Sequence, residues 1–160
     1  MKNYIPEQLE QWSRKYLPML HDREQNRRFY YCHGDRGFRD ILQHVMPEHS
    51  PFVMIDSEVF KTVSPRFTTS HYHLYFVVRC EDMVDDRSLY QANIESSVHA
   101  ERFYNYLLRH SDGMMRRLID FDDVSIQSYN IGFDGWTSSI MSISIKESTD
   151  LCTDEGLYTE

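Results

Sequence analysis

Cysteine is scarce in this chain, and what there is lacks useful spacing. Cys32, Cys80 and Cys152 are an odd number with no CxxC pair, which argues against a disulfide scaffold and a structural zinc site. Long apolar runs are missing as well. None approaches the roughly 20 residues needed to span a bilayer. The opening residues (MKNYIPEQLEQW) hold no apolar signal region, so synthesis in the cytoplasm is the expectation. Positive charge is in short supply: 17 Lys and Arg face 25 Asp and Glu, for a net charge of −8. The imbalance is uneven, with residues 1–40 at +2 and residues 41–160 at −10. An acidic body of that kind disfavours a general nucleic-acid binder, because phosphate contacts need clustered cations. Its basic front end suits contacts between neighbouring copies or with a partner. Neither an internal repeat nor a low-complexity segment interrupts the chain.

What is present is material for a core. Hydrophobic residues make up 41% and aromatics 14% of 160 residues, enough for one folded domain. The organising stretch runs from Phe67 to Ser111. Thr69–Cys80 is a strand-type run without glycine or proline. Tyr72, Leu74, Phe76 and Val78 fall on one face of it. His71, His73, Tyr75, Val77 and Arg79 fall on the other. One apolar and one mixed face predict a sheet fully covered on one side only. After an acidic turn, with Asp85 or Asp86 as N-cap, Leu89, Ala92, Ser96, Ala100, Phe103 and Leu107 recur at helical spacing. Ser111-Asp112-Gly113 stops that helix, with Gly113 suited to a left-handed cap.

The remaining segments read as partners of this pair. Residues 6–17 predict a short helix with Leu9, Trp12 and Tyr16 on one stripe, ended by Pro18. Phe29–Cys32 is a short strand. Asp35 is placed to cap a second helix carrying Phe38, Ile41, Leu42 and Val45. Pro51–Thr62 reads as a strand with Val53, Ile55 and Val59 on one face, joined to the central strand as a hairpin through Ser64-Pro65. Met114–Ile119 is a helical turn or linker. Asp123–Ile131, the turn Gly132–Gly135 and Trp136–Lys146 form a closing hairpin, with Met141, Ile143 and Ile145 inward. The predicted fold is α+β: a mostly antiparallel or mixed sheet of four to five strands, the long helix on one face, and short N-terminal helices. It divides into a helix and linker (1–28), a core domain (29–146) and an acidic tail (147–160).

Catalytic chemistry finds little to stand on. His71 and His73 sit two apart on one strand face, a spacing that sets two imidazoles side by side, but no HExxH or similar carboxylate motif accompanies them. Cys32-His33, His44 and His49 likewise read as strand-face and loop residues. Adjacent strand residues point to opposite faces, so Cys32 and His33 are not a dyad. There is no GxSxG elbow. His33-Gly34-Asp35-Arg36-Gly37 lacks the lysine and hydroxyl of a phosphate loop and reads as a turn with a helix cap. Asp120, Asp122 and Asp123 suit a solubilising edge better than cation chelation. Tyr72, Tyr75 and Phe76 read as core rather than a base-stacking platform. The expectation is therefore a non-enzyme with no cofactor and no metal. Candidate contact residues are Phe133, Trp136, Arg66 and Trp12. For Phe133 and Trp136, large aromatics around a hairpin turn, two readings stand: anchors at an interface, or rings folded back on the sheet edge.

The order of elements resembles tail-completion or tail-terminator proteins of tailed bacteriophages. A central hairpin (Pro51–Thr62 with Phe67–Cys80), one long helix (Arg87–Ser111) and a closing hairpin (Asp123–Lys146) carry the likeness. The stretch Cys32–Asp56 also looks like the front of phage-derived proteins in gut Bacteroides-type genomes. The likeness is one of architecture and covers roughly residues 29–146; the helix with Trp12 and the acidic tail have no counterpart in it. It implies a structural virion protein of the neck, assembled in the host cytoplasm. Such a protein forms a homo-oligomeric ring, commonly of six copies, between tail tube and head–tail connector. It implies no catalytic residues, no membrane and no sequence-specific nucleic acid. The main rival is a small dimeric α+β ligand-binding module or simple enzyme, with an enclosed pocket between sheet and helix near Tyr72–Phe76. An enzyme using the histidines comes third.

Overall fold

The computed structural model describes residues 3–17, 28–56, 60–130 and 135–148. Four α-helices, α1 (Tyr4–Tyr16), α2 (Gly34–His44), α3 (Asp86–His110) and α4 (Gly113–Leu118), accompany six strands. The strands are β1 (Phe29–Cys32), β2 (Phe52–Asp56), β3 (Phe60–Val63), β4 (Phe67–Arg79), β5 (Ser125–Tyr129) and β6 (Trp136–Ser148). The fold is α+β around one mixed sheet, with one strand more than expected. The extra strand arises because the segment read as a single strand from Pro51 divides into β2 and β3. Val59, between them, lies outside the described residues, as do Pro18, Phe133 and residues 149–160.

The strand order is β1-β2-β4-β6-β5, with β3 also paired to β4. β4 and β6 are the spine, antiparallel over thirteen residues from Phe67↔Ser148 to Arg79↔Trp136. β2 and β3 both pair antiparallel with β4, at Phe52↔Val77 and Phe60↔His71, so both halves of the expected hairpin are present. Among the described strands only β1 and β2 run parallel. Parallel neighbours need a crossover, and α2 supplies it.

The two faces of β4 have different covers. Tyr72, Leu74 and Phe76 point into the main core, with Val53 and Ile55 of β2 and Met141, Ile143 and Ile145 of β6. α3 closes this face through Ala100, Phe103 and Leu107, and α1 joins it through Ile5, Leu9 and Trp12. α1 is thus an integral part of the core rather than an appendage ahead of it. On the opposite face α2 lays Phe38 and Leu42 against Cys32, Phe52, Met54, Val77 and Trp136. α2 covers only that end of the sheet. The end bearing His73 is left exposed, which accounts for the mixed character of this face.

Small side chains let α3 approach β6 closely. Ala92, Ser96 and Ala100, four residues apart, are buried, and Ser96 Oγ meets Ser139 Oγ at 2.7 Å. Thr137 Oγ1 donates to Asn93 Oδ1 at 2.6 Å alongside. Two caps differ from expectation, those assigned to Gly113 and Asp35. Gly113 does not close α3, which ends on the extended residue Ser111. Gly113 instead opens α4, where the Asp112 carboxylate accepts from the amides of Met114 and Met115. α2 starts at Gly34, with φ of 61°, so His33 rather than Asp35 holds its capping position. At the head of α3, Asp85 is the N-cap residue and its Oδ2 accepts from the Ser88 hydroxyl at 2.8 Å. That bond comes first among the causes that hold the exposed Asp85 carboxyl below its usual range.

Candidate functional site

Of the four expected contact residues, two are buried. Trp12, on α1, is 2% exposed and packs edge-on against Phe76 and Phe103, at ring distances of 5.9 and 5.5 Å. Its stripe with Leu9 faces the sheet, so as it stands it is a core residue and not an interface anchor. Trp136 is also 2% exposed. It folds back between Phe52, 5.4 Å away, and the Arg79 guanidinium, 5.4 Å from its ring. Of the two readings weighed for it, the inward one describes its position. The neighbouring Gly135 has φ of +88°, and a Cβ there would run into the Arg79 guanidinium. Glycine thereby lets the chain turn while arginine covers the indole. Phe133 lies outside the described residues.

Arg66 is different. It is exposed at the tip of the β3–β4 hairpin. Ser64 fastens that tip: its amide and hydroxyl both donate to the Phe67 carbonyl, and its Oγ accepts from the Phe67 amide. All four residues of β3 are exposed, Phe60 by 67% and Val63 by 71%, and Phe67 beside them by 41%. Lys146 Nζ lies 4.3 Å from the Phe67 ring. Within the described sheet β3 pairs on one side only, with β4. Its outer amides and carbonyls therefore form an open edge flanked by apolar side chains. β5, at the far side of the sheet, is an edge of another kind, built from Ser125, Ile126, Gln127, Ser128 and Tyr129.

A second feature lies between α1 and α3. A cleft of about 390 Å³ is walled by Trp12, Tyr16 and Leu17 and by one face of α3 carrying His99, Arg102, Tyr106 and Arg109. Tyr106 holds the centre, edge-on to Tyr16 at 5.9 Å and 4.3 Å from the His110 ring. Burial holds the His99 imidazole below its usual value, with Arg102 adding to that effect against the opposing pull of Glu95, 3.7 Å away. Among the described residues, neither Arg102 nor Arg109 has an acidic partner within ion-pairing distance.

No family model and no curated protein matches this sequence.

The residues weighed for chemistry stay apart. Among the described residues no three His, Cys, Asp or Glu side chains gather as a metal site. His71 Nε2 lies 3.2 Å from Thr62 Oγ1, with the Phe60 ring 5.2 Å off, so it braces the β3 hairpin. His49 Nδ1 accepts from the Met46 amide at 3.2 Å. Asp120 Oδ1 accepts from the Asp122 amide and so shapes its own turn. Cys32 is buried with Sγ 3.4 Å from the Ile55 carbonyl. Burial and the nearby Asp56 charge push its thiol up to about 12, the reverse of an activated nucleophile. Tyr72, Leu74 and Phe76 are packed core, and the cleft lies between two helices rather than beside them.

The cleft was not visible from sequence. His99, Arg102, Tyr106 and Arg109 recur at steps of three and four, on the flank beside the apolar stripe read from the sequence. Only the packing of α1 beside α3 gives that flank a second wall. The period itself was the available signal.

Proposed function

We propose that this chain is an assembly subunit, a structural protein that joins copies of itself through the β3 arm. In the specific form implied by the tail-terminator resemblance, it is a neck protein forming a ring between tail tube and connector. One observation supports the reading most directly: a fully exposed edge strand carrying Phe60 and Val63, held out on an ordered hairpin. Open apolar edges are templates for pairing with another chain, and proteins that do not use them blunt them with charge, proline or a bulge. Here the single charge on the strand is Lys61, and Pro65 stands beyond its end at the tip. A strand added to β3 would gain backbone hydrogen bonds and place its side chains alongside Phe60 and Val63. A head-to-tail contact of this kind, repeated with rotation, closes into a ring.

The test is the native mass of the full chain by light scattering over a wide concentration range. A discrete species of about six copies that grows with concentration is the expected result. The double variant Phe60→Lys, Val63→Lys should keep its unfolding midpoint within a few degrees, since both side chains are exposed, and should lose the large species. A chain that stops at a tight dimer, or stays monomeric throughout, overturns the ring.

A further inference from the structure

We propose that the cleft between α1 and α3 binds a small phosphate-bearing molecule with a planar ring, the chemistry of a nucleoside monophosphate. This is independent of the assembly reading, which concerns the β3 arm. Four observations carry it. The first is size: about 390 Å³ lies within the range of small-molecule sites, roughly 300–1,000 Å³, and is too small for a folded partner.

The second is charge. Among the described residues the lining holds Arg102, Arg109, His99 and His110 and no carboxylate, the Glu95 carboxylate standing 3.7 Å from His99. In a chain of net charge −8, two arginines, Arg102 and Arg109, stand at one concave place. Arg102 and Arg109 stand two turns apart on α3, about 10 Å along its axis. Two guanidinium forks bordering one cleft suit a group with three charged oxygens better than a single carboxylate. Basic residues also complement the negative end of a helix dipole, which accounts for Arg109 and His110 in the last turn of α3. That effect fades within a turn and does not reach Arg102 or His99.

The third is the aromatic wall. Tyr16 and Tyr106 present ring surface to the same space as the arginines. Tyr106 already lies against Phe103 and His110, so the half-exposed Tyr16 is the ring on which a planar group can stack while its phosphate meets the forks. The fourth is the neighbouring amide of Asn105, which offers both a donor and an acceptor to a ring edge.

The test is calorimetric titration of the full chain at low salt with three probes: adenosine 5′-monophosphate, adenosine and inorganic phosphate. Saturable one-to-one binding of the monophosphate is expected, with adenosine and phosphate each at least about tenfold weaker, because each keeps only half of the recognition. Arg102→Gln with Arg109→Gln should weaken the monophosphate by at least tenfold without loss of helical signal, as both side chains are exposed. Arg116→Gln with Arg117→Gln removes the same charge from exposed positions on α4 and should change little. The proposal is overturned if phosphate alone or adenosine alone matches the monophosphate, if the two double variants weaken binding equally, or if millimolar monophosphate gives no heat.

Discussion

Ser96 and Ser139 show how a single pair of hydroxyls sets a helix against a strand. Both are fully buried, and each is the other's partner across the α3–β6 interface. Replacing Ser96 by Ala strands the Ser139 hydroxyl away from water and should cost about 1–2 kcal/mol in chemical denaturation. The Ser96→Ala, Ser139→Ala double variant should lose less than the two single changes added together, since removing both partners leaves nothing unsatisfied. Trp12 gives a larger number. Its indole fills the space between Phe76 and Phe103, so Trp12→Ala should destabilise the domain by about 3–5 kcal/mol, measured by urea unfolding. A contact residue on a free surface would give almost nothing. Sequence spacing identified Trp12 as part of an apolar stripe but not the direction in which the stripe faces. That direction depends on where α1 docks, and no residue within α1 encodes it.

At the scale of elements, the long strand and the long helix were legible because each is long enough for its period to speak. Tyr72, Leu74 and Phe76 alternate inward, and Ala92, Ser96, Ala100, Phe103 and Leu107 form the buried stripe of α3 as spaced. Short elements were less legible. Four residues of β3 carry no burial pattern at all, because none of them is buried. The cap at Asp112 went unseen for a different reason: α4 is a six-residue helix whose start is fixed by one carboxylate. The parallel pairing of β1 with β2 is likewise a property of the crossover through α2 and not of either strand's composition. Of the candidate surfaces, the arm was half legible, since Arg66 at its tip was singled out while Phe60 and Val63 were not.

For the molecule as a whole, two buried acids make stability sensitive to alkali. The Cys32 thiol is pushed from an ordinary value of 9.0 to about 12, first by burial and then by Asp56. The Tyr72 phenol is raised from 10.0, first by burial and then by the Glu147 charge. In both cases the unfolded chain gives up its proton at a lower pH than the folded one. Above pH 9 the folded state therefore holds more protons, and stability falls as pH rises towards 12. Below about pH 8 neither group contributes a slope. Urea midpoints should be level between pH 7 and about 8 and drop steadily by pH 10.5, with Cys32→Ala removing part of the drop. A flat profile across that range would show that neither group keeps its proton in the fold.

The thirteen paired residues of β4 and β6 also decide how the molecule carries load. Because the strands are antiparallel and in register, tension entering at the Phe67 end of β4 and leaving at the Trp136 end of β6 acts along the ladder and strains every rung together. Tension applied at Phe67 and Ser148, which face each other, opens the same rungs one by one. The domain is thus mechanically anisotropic, stiff along the diagonal of its spine and weak across one end of it. A ring whose neighbours grip the β3 arm, at the Phe67 end, would pull on the spine from its unzippable end unless the adjoining contact is made at the Trp136 end.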